Sequence, residues 1–120
     1  MVLVQVAQRA TDLDRAAEFY TLLLGAGPTA RFDPPGLLFF DLAGTRLLLD
    51  GNAPSALIYL RVDDIDAEVA RLSEAGVEFV QAPHLIFSHA DAALGPAGAE
   101  EWQAFLTDSE GNTVGLVEWR

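Results

Sequence analysis

The chain has 120 residues, 51% hydrophobic and 21% charged, which fits one compact folded domain with its own core and excludes a disordered chain. It has no cysteine, which removes disulfide frameworks, zinc ribbons, iron–sulfur clusters and thiol nucleophiles, and only two histidines, His84 and His89, so a metal site would need carboxylates or amides. Eighteen acids against seven bases, all arginine, give a net charge of −11; no basic cluster exists to bind nucleic acid, and no apolar run nears the ~20 residues of a membrane span. The first residues carry no basic leader pattern, so a cytoplasmic location is expected.

In chain order, Val2, Val4 and Val6 alternate with Leu3, Gln5 and Ala7, the period of a two-faced strand, with the valines turned toward a helix layer. A helix follows, capped by Thr11 or Asp12 and stopped by Gly25 and Gly27. Strands are predicted near 28–32, 36–42 and 46–50, divided by Asp33-Pro34-Pro35-Gly36 and Ala43-Gly44. The second half reads the same way. A strand at 56–62 leads to a helix capped by Asp63 or Asp64 and ended by Gly76, then to a strand at 77–81. An Ala/Gly/Pro-rich loop from 82 to 100 follows, and strands at 102–107 and 113–118 flank the turn Asp108-Ser109-Glu110-Gly111-Asn112. A shift of 52 positions lays Arg9 on Arg61, Asp12 on Asp64 and Asp14 on Asp66, so the order βαβββ occurs twice.

Three pieces carry a family resemblance: Asp12-Leu13-Asp14-Arg15-Ala16-Ala17-Glu18-Phe19-Tyr20 before Leu24-Gly25, Val62-Asp63-Asp64-Ile65-Asp66 before Ala75-Gly76-Val77, and Asp108-Ser109-Glu110-Gly111-Asn112 before the last strand. Together they resemble the vicinal oxygen chelate superfamily, which includes glyoxalase I, bleomycin-resistance proteins and extradiol dioxygenases. The resemblance implies an α+β fold of two βαβββ modules whose mixed sheets curve into a cup, one glyoxalase-like domain over 1–120 with module 1 at about 1–52 and module 2 at about 55–120, in a homodimer. Family enzymes hold a divalent metal with four side chains, and the matching positions here are Gln5, Leu48, Leu57 and Gly115. Only Gln5 offers a donor, so no metal or other cofactor is expected.

Strand parity groups Arg46, Leu48 and Asp50, then Leu57, Tyr59 and Arg61, then Thr113, Gly115, Val117 and Trp119, giving an apolar cup with a few polar handles. The expected ligand-binding set is Gln5, Leu48, Leu57, Tyr59, Arg61, His84, Trp102 and Gly115. His84, on the loop that the resemblance folds over the cup, is the candidate catalytic residue, as a general base with a pKa near neutrality. Asp63-Asp64 reads as helix capping, and Glu100-Glu101 as a solvated shoulder ahead of Trp102. The reading that follows is a metal-free protein binding an apolar, aromatic and even cationic small molecule rather than an enzyme. The alternatives are a divergent metal-dependent lyase, isomerase or dioxygenase of the glyoxalase type, and a scaffold without a small ligand.

Overall fold

The computed structural model describes residues 1–120. The chain divides into two compact units, Met1–Ala56 with Ser109–Asn112, and Leu57–Asp108 with Thr113–Arg120. Each holds one four-stranded mixed sheet and one helix, so the α+β reading and the repeated βαβββ order both hold. Neither helix is long and apolar enough to cross a membrane.

The first unit contains β1 (Gln5–Arg9), α1 (Leu13–Leu24), β2 (Ala30–Phe32), β3 (Leu37–Leu42) and β4 (Thr45–Asp50), with sheet order β1-β4-β3-β2. Asp12 caps α1 by accepting the Arg15 amide at 3.0 Å, and Gly25, at φ 76°, closes it with an amide bond to the Thr21 carbonyl. Leu38, Phe40, Leu47 and Leu49 leave one sheet face and bury themselves with Ala16, Tyr20 and Leu23 of α1. Gln8 points the same way and is fully buried; its amide closes both hydrogen bonds with the Ala56 backbone at 2.6 Å, which meets the cost of burying it. The strand begins later than the valine alternation predicts. Met1 to Val4 lie outside β1 and stay exposed; the first backbone bond to the neighbouring strand is the one the Val4 carbonyl accepts from the Arg46 amide.

The turn Ser109–Asn112 packs with this first unit. The Glu110 carboxylate accepts the backbone amides of Thr11 and Asp12 at 2.9 and 3.0 Å and the Arg15 Nε at 2.7 Å. One acid thus satisfies donors left open at the start of α1 and favours the positive end of the helix. Burial opposes its charge, but Arg15 and the two amides outweigh that and bring its pKa down to about 2.

The second unit contains β5 (Ile58–Arg61), α2 (Ile65–Glu74), β6 (Phe79–Ser88), β7 (Glu100–Thr107) and β8 (Thr113–Trp119), in sheet order β5-β8-β7-β6. Asp64 caps α2 through the Ala67 amide at 3.0 Å, and Glu118 accepts the Ile65 amide at 3.1 Å. Ile65 and Leu72 bury against Ala104, Leu106, Val114 and Leu116. Strand β6 runs to Ser88, seven residues into the predicted loop, because His84, Leu85, Phe87 and Ser88 pair with β7 across irregular register steps. His84 is therefore a strand residue.

Candidate ligand-binding faces

In the second unit the face of the sheet away from α2 is built rung by rung. Strand pairing sets Tyr59 opposite Gly115 and Gly115 opposite Phe105. The absence of a Cβ at Gly115 is what this rung requires: one placed there would lie 2.7 Å from Tyr59 Cδ2 and 3.1 Å from Phe105 Cε1. The Tyr59 ring thus lies across the glycine and meets Phe105 edge to face, centroids 5.8 Å apart and planes at 82°. Tyr59 is nevertheless 51% exposed, so this aromatic surface is presented to solvent.

The next rung is Arg61, Val117, Gln103 and His84. The Arg61 guanidinium sits 5.2 Å over the Trp119 ring. His84 is half-buried, and its Nδ1 donates to the Ala82 carbonyl at 3.0 Å.

The rung beyond carries Trp119, Glu101 and Phe87. Glu101 is buried where a solvated shoulder was expected. Its oxygens accept Trp119 Nε1 and His89 Nε2 at 3.0 Å each and Gln103 Nε2 at 2.7 Å. Burial works against the carboxylate, yet those three donors overcome it and hold Glu101 below the usual carboxylate range. His89, buried beneath Phe87 at 4.5 Å between ring centroids, anchors residues 89–99: its backbone pairs with Ala99 and Gly98, and Gly95 packs against the imidazole. The pattern of sequence gave no signal for this network beyond the residue types themselves, because its members are separated by up to 30 positions and converge only through strand pairing.

In the first unit the corresponding face carries Gln5 and Ala7 of β1, Arg46 and Leu48 of β4, and Phe39 of β3. Arg46 donates to Gln5 Oε1 at 3.1 Å and lies 5.5 Å over the Phe39 ring, whose edge meets Phe32 at 6.1 Å. Leu48 is 9% exposed beneath this layer.

The expected ligand set is therefore divided. Gln5 and Leu48 share the open face of the first unit, and Tyr59, Arg61, His84 and Gly115 share that of the second, with Leu57 exposed just ahead of β5. Trp102 does not join them. It pairs with Glu118 and so points to the α2 side, where Arg120 lies 4.4 Å over its ring. Phe105, Gln103 and Trp119, absent from the expected ligand set, stand on the face as well; parity had already grouped Trp119 with Gly115, whereas Phe105 and Gln103 are placed by their pairing with Gly115 and Val117.

The four positions at which the resemblance places metal ligands do not fit a divalent ion. Gln5 offers one amide oxygen, already engaged by Arg46, while Leu48, Leu57 and Gly115 carry no donor. No group of three His, Asp or Glu side chains elsewhere is arranged to hold a metal. A separate cleft of about 440 Å³ lies beside the start of α1 in the first unit, lined by Asp12, Asp14, Asp33 and Asp50, with Arg31 paired to Asp14 and Asp33.

The fold is shared with solved structures over nearly the whole chain. An antibiotic binding protein, TnmS3 from Streptomyces sp. CB03234, is 25% identical with a TM-score of 0.79, covering 100% of this chain and 97% of that one. A glyoxalase/bleomycin resistance protein/dioxygenase superfamily member from Sphaerobacter thermophilus DSM 20745 is 25% identical over 98% and 97% of the two chains, TM-score 0.74. Lactoylglutathione lyase from Agrobacterium tumefaciens is 24% identical over 98% and 92%, TM-score 0.68. No curated protein sequence matches the chain. The family model for the Glyoxalase/Bleomycin resistance protein/Dioxygenase superfamily matches residues 2–116. The chain belongs to that superfamily.

Proposed function

We propose that this protein binds a small planar, largely apolar molecule on the open face of its second unit, without a divalent metal, and acts as a homodimeric binding protein of the cytoplasm. The observation that carries this reading is the Tyr59–Gly115–Phe105 rung. A position where the family's enzymes place a metal ligand is a glycine here, and the space above it is taken by an exposed aromatic ring. A flat ligand stacking on Tyr59 gains apolar burial and ring contact together. The likeness to a structure described as an antibiotic binding protein supports small-molecule binding. A metal-dependent lyase, isomerase or dioxygenase finds no support in the donor set.

The test is thermal denaturation of the purified full chain with zinc, nickel, manganese or iron(II), and separately with a panel of flat aromatic and peptide antibiotics. A ligand at 100 times its Kd adds about 2.7 kcal/mol of stability, a shift of several degrees in Tm. Aromatic compounds are expected to raise the Tm and quench Trp119 fluorescence, with metals leaving both unchanged. A shift with metals alone refutes the reading. Sedimentation equilibrium tests the dimer, whose expected mass is twice 12.9 kDa.

A further inference from the structure

The seven arginines sort by location. Arg15, Arg31, Arg71 and Arg120 each pair with a carboxylate within 4 Å. Arg9, Arg46 and Arg61 pair with none, although the chain holds 18 acids, and all three stand on the open sheet faces. For Arg9 and Arg46 the strand register at least sets an acid directly opposite, Asp50 and Asp41. Arg61 has no acid on its rung: its neighbours across the sheet are Val117, Gln103 and His84.

The acid on the adjoining rung, Glu101, is buried and has its oxygens taken by Trp119, Gln103 and His89. Trp119, whose indole N–H goes to Glu101, offers its ring to the Arg61 guanidinium. The buried carboxylate thus fixes the ring, and the ring supports a guanidinium whose N–H groups remain open to solvent. A stacked guanidinium keeps its planar fork free for two parallel hydrogen bonds to a carboxylate, sulfonate or phosphate. It stands two residues along β5 from Tyr59 on the same face, a step of about 7 Å. A ring stacked on Tyr59 and carrying an acidic substituent spans that distance.

We propose that the ligand of the second unit's face is a planar aromatic anion, its rings on Tyr59 and Phe105 and its acidic group held by Arg61. This rests on the binding reading above and sharpens it, and it reverses the expectation of a cationic ligand drawn from net charge. The −11 charge of the chain opposes an anion only at long range, and at physiological salt that field decays over about 8 Å, so the local guanidinium decides.

Two dyes with the same ring system separate the terms: 8-anilinonaphthalene-1-sulfonate, an anion, and N-phenyl-1-naphthylamine, which lacks the sulfonate and is neutral. Each is titrated by fluorescence into the full chain at physiological ionic strength, with the urea midpoint of every variant measured alongside so that dye on unfolded chain is recognised. The sulfonate is expected to bind about tenfold more tightly than the neutral dye, the scale of one exposed charge-assisted pair. Arg61→Gln should remove that preference while leaving the neutral dye's affinity and the urea midpoint in place, and Arg61→Lys should restore most of it. Equal affinity for both dyes, or a sulfonate preference that survives Arg61→Gln, overturns the anion assignment and leaves the binding reading standing. If neither dye binds the folded chain, the binding reading itself fails, and this inference with it.

Discussion

Replacing Glu110 with glutamine removes one negative charge from beneath the start of α1, and the structure sets the size of the effect. Arg15 and the two backbone amides hold the folded carboxyl down at about 2, against an ordinary value of 4.5. A difference of about 2.5 pH units corresponds to about 3 kcal/mol of stability at neutral pH. The Glu110 side chain is only 2% exposed, so most of this survives, but Arg15 is 54% exposed and its share is screened by solvent. About 2 kcal/mol is the expected loss in Glu110→Gln at about pH 7, equivalent to a Tm lower by roughly 8 °C. The sign follows from the depressed folded pKa. The contribution is complete above the unfolded value near 4.5 and disappears as pH falls through 2. Other carboxylates titrate over the same range, so the informative quantity is the gap between wild type and Glu110→Gln, measured by urea denaturation at several pH values. The gap should be widest near neutrality and shrink to under about half by pH 3. A gap below about 0.5 kcal/mol at neutral pH, or one independent of pH, would falsify the assignment of Glu110 as the ionic cap of α1.

Gly115→Val should cost about 1–3 kcal/mol in urea unfolding, because the new Cβ arrives 2.7 Å from the Tyr59 ring, and Tyr59→Ala should relieve most of that cost in the double variant; strict additivity of the two refutes the packing account. Asp64→Ala, which removes the side-chain acceptor for the Ala67 amide, is expected to lower stability by about 1 kcal/mol, with Glu118 still serving the Ile65 amide. Glu101→Gln places an amide donor against the Trp119, His89 or Gln103 donors, so stability should drop by about 1–3 kcal/mol and hydrogen exchange at the His89 and Gly98 amides should accelerate; unchanged exchange there would show that the carboxylate does not hold the 89–99 segment.

The features legible in the sequence are those set by local chemistry. Each helix start reads as capped, by Thr11 or Asp12 and by Asp63 or Asp64, because such a side chain satisfies an amide near the helix start, and the structure gives both caps to the second residue of the pair, Asp12 and Asp64, at 3.0 Å. Gly25 and Gly76 read as stops because each adopts a left-handed backbone there. The features that were not legible depend on pairing at a distance. The Ala/Gly/Pro composition of 82–100 concealed the second half of β6, whose pairing with β7 proceeds through shifted register and so lacks clean alternation. Glu101 looked like one of a solvated acid pair, since nothing local announces that Trp119, Gln103 and His89 will all turn toward it. Trp102 was placed with the ligand set by its size, and parity with Glu118 puts it on the other face.

The 52-residue repeat shows how the two units diverged from one plan. Ala7 and Tyr59 are equivalent under that shift, and each stands on the outer strand of a rung whose third residue is a phenylalanine: Ala7, Leu48 and Phe39 in the first unit, Tyr59, Gly115 and Phe105 in the second. The first rung puts its small residue on the outer strand and its large one at the centre; the second does the reverse. The exchange conserves bulk, as close packing on a sheet face demands. It also bears on the chemistry. Any side chain at Gly115, glutamate or valine, forces the Tyr59 ring to shift, because the close contact begins at Cβ. A carboxylate at Gly115, where the resemblance expects one of the metal ligands, and the Tyr59 ring compete for the same space, so recovering the first displaces the second.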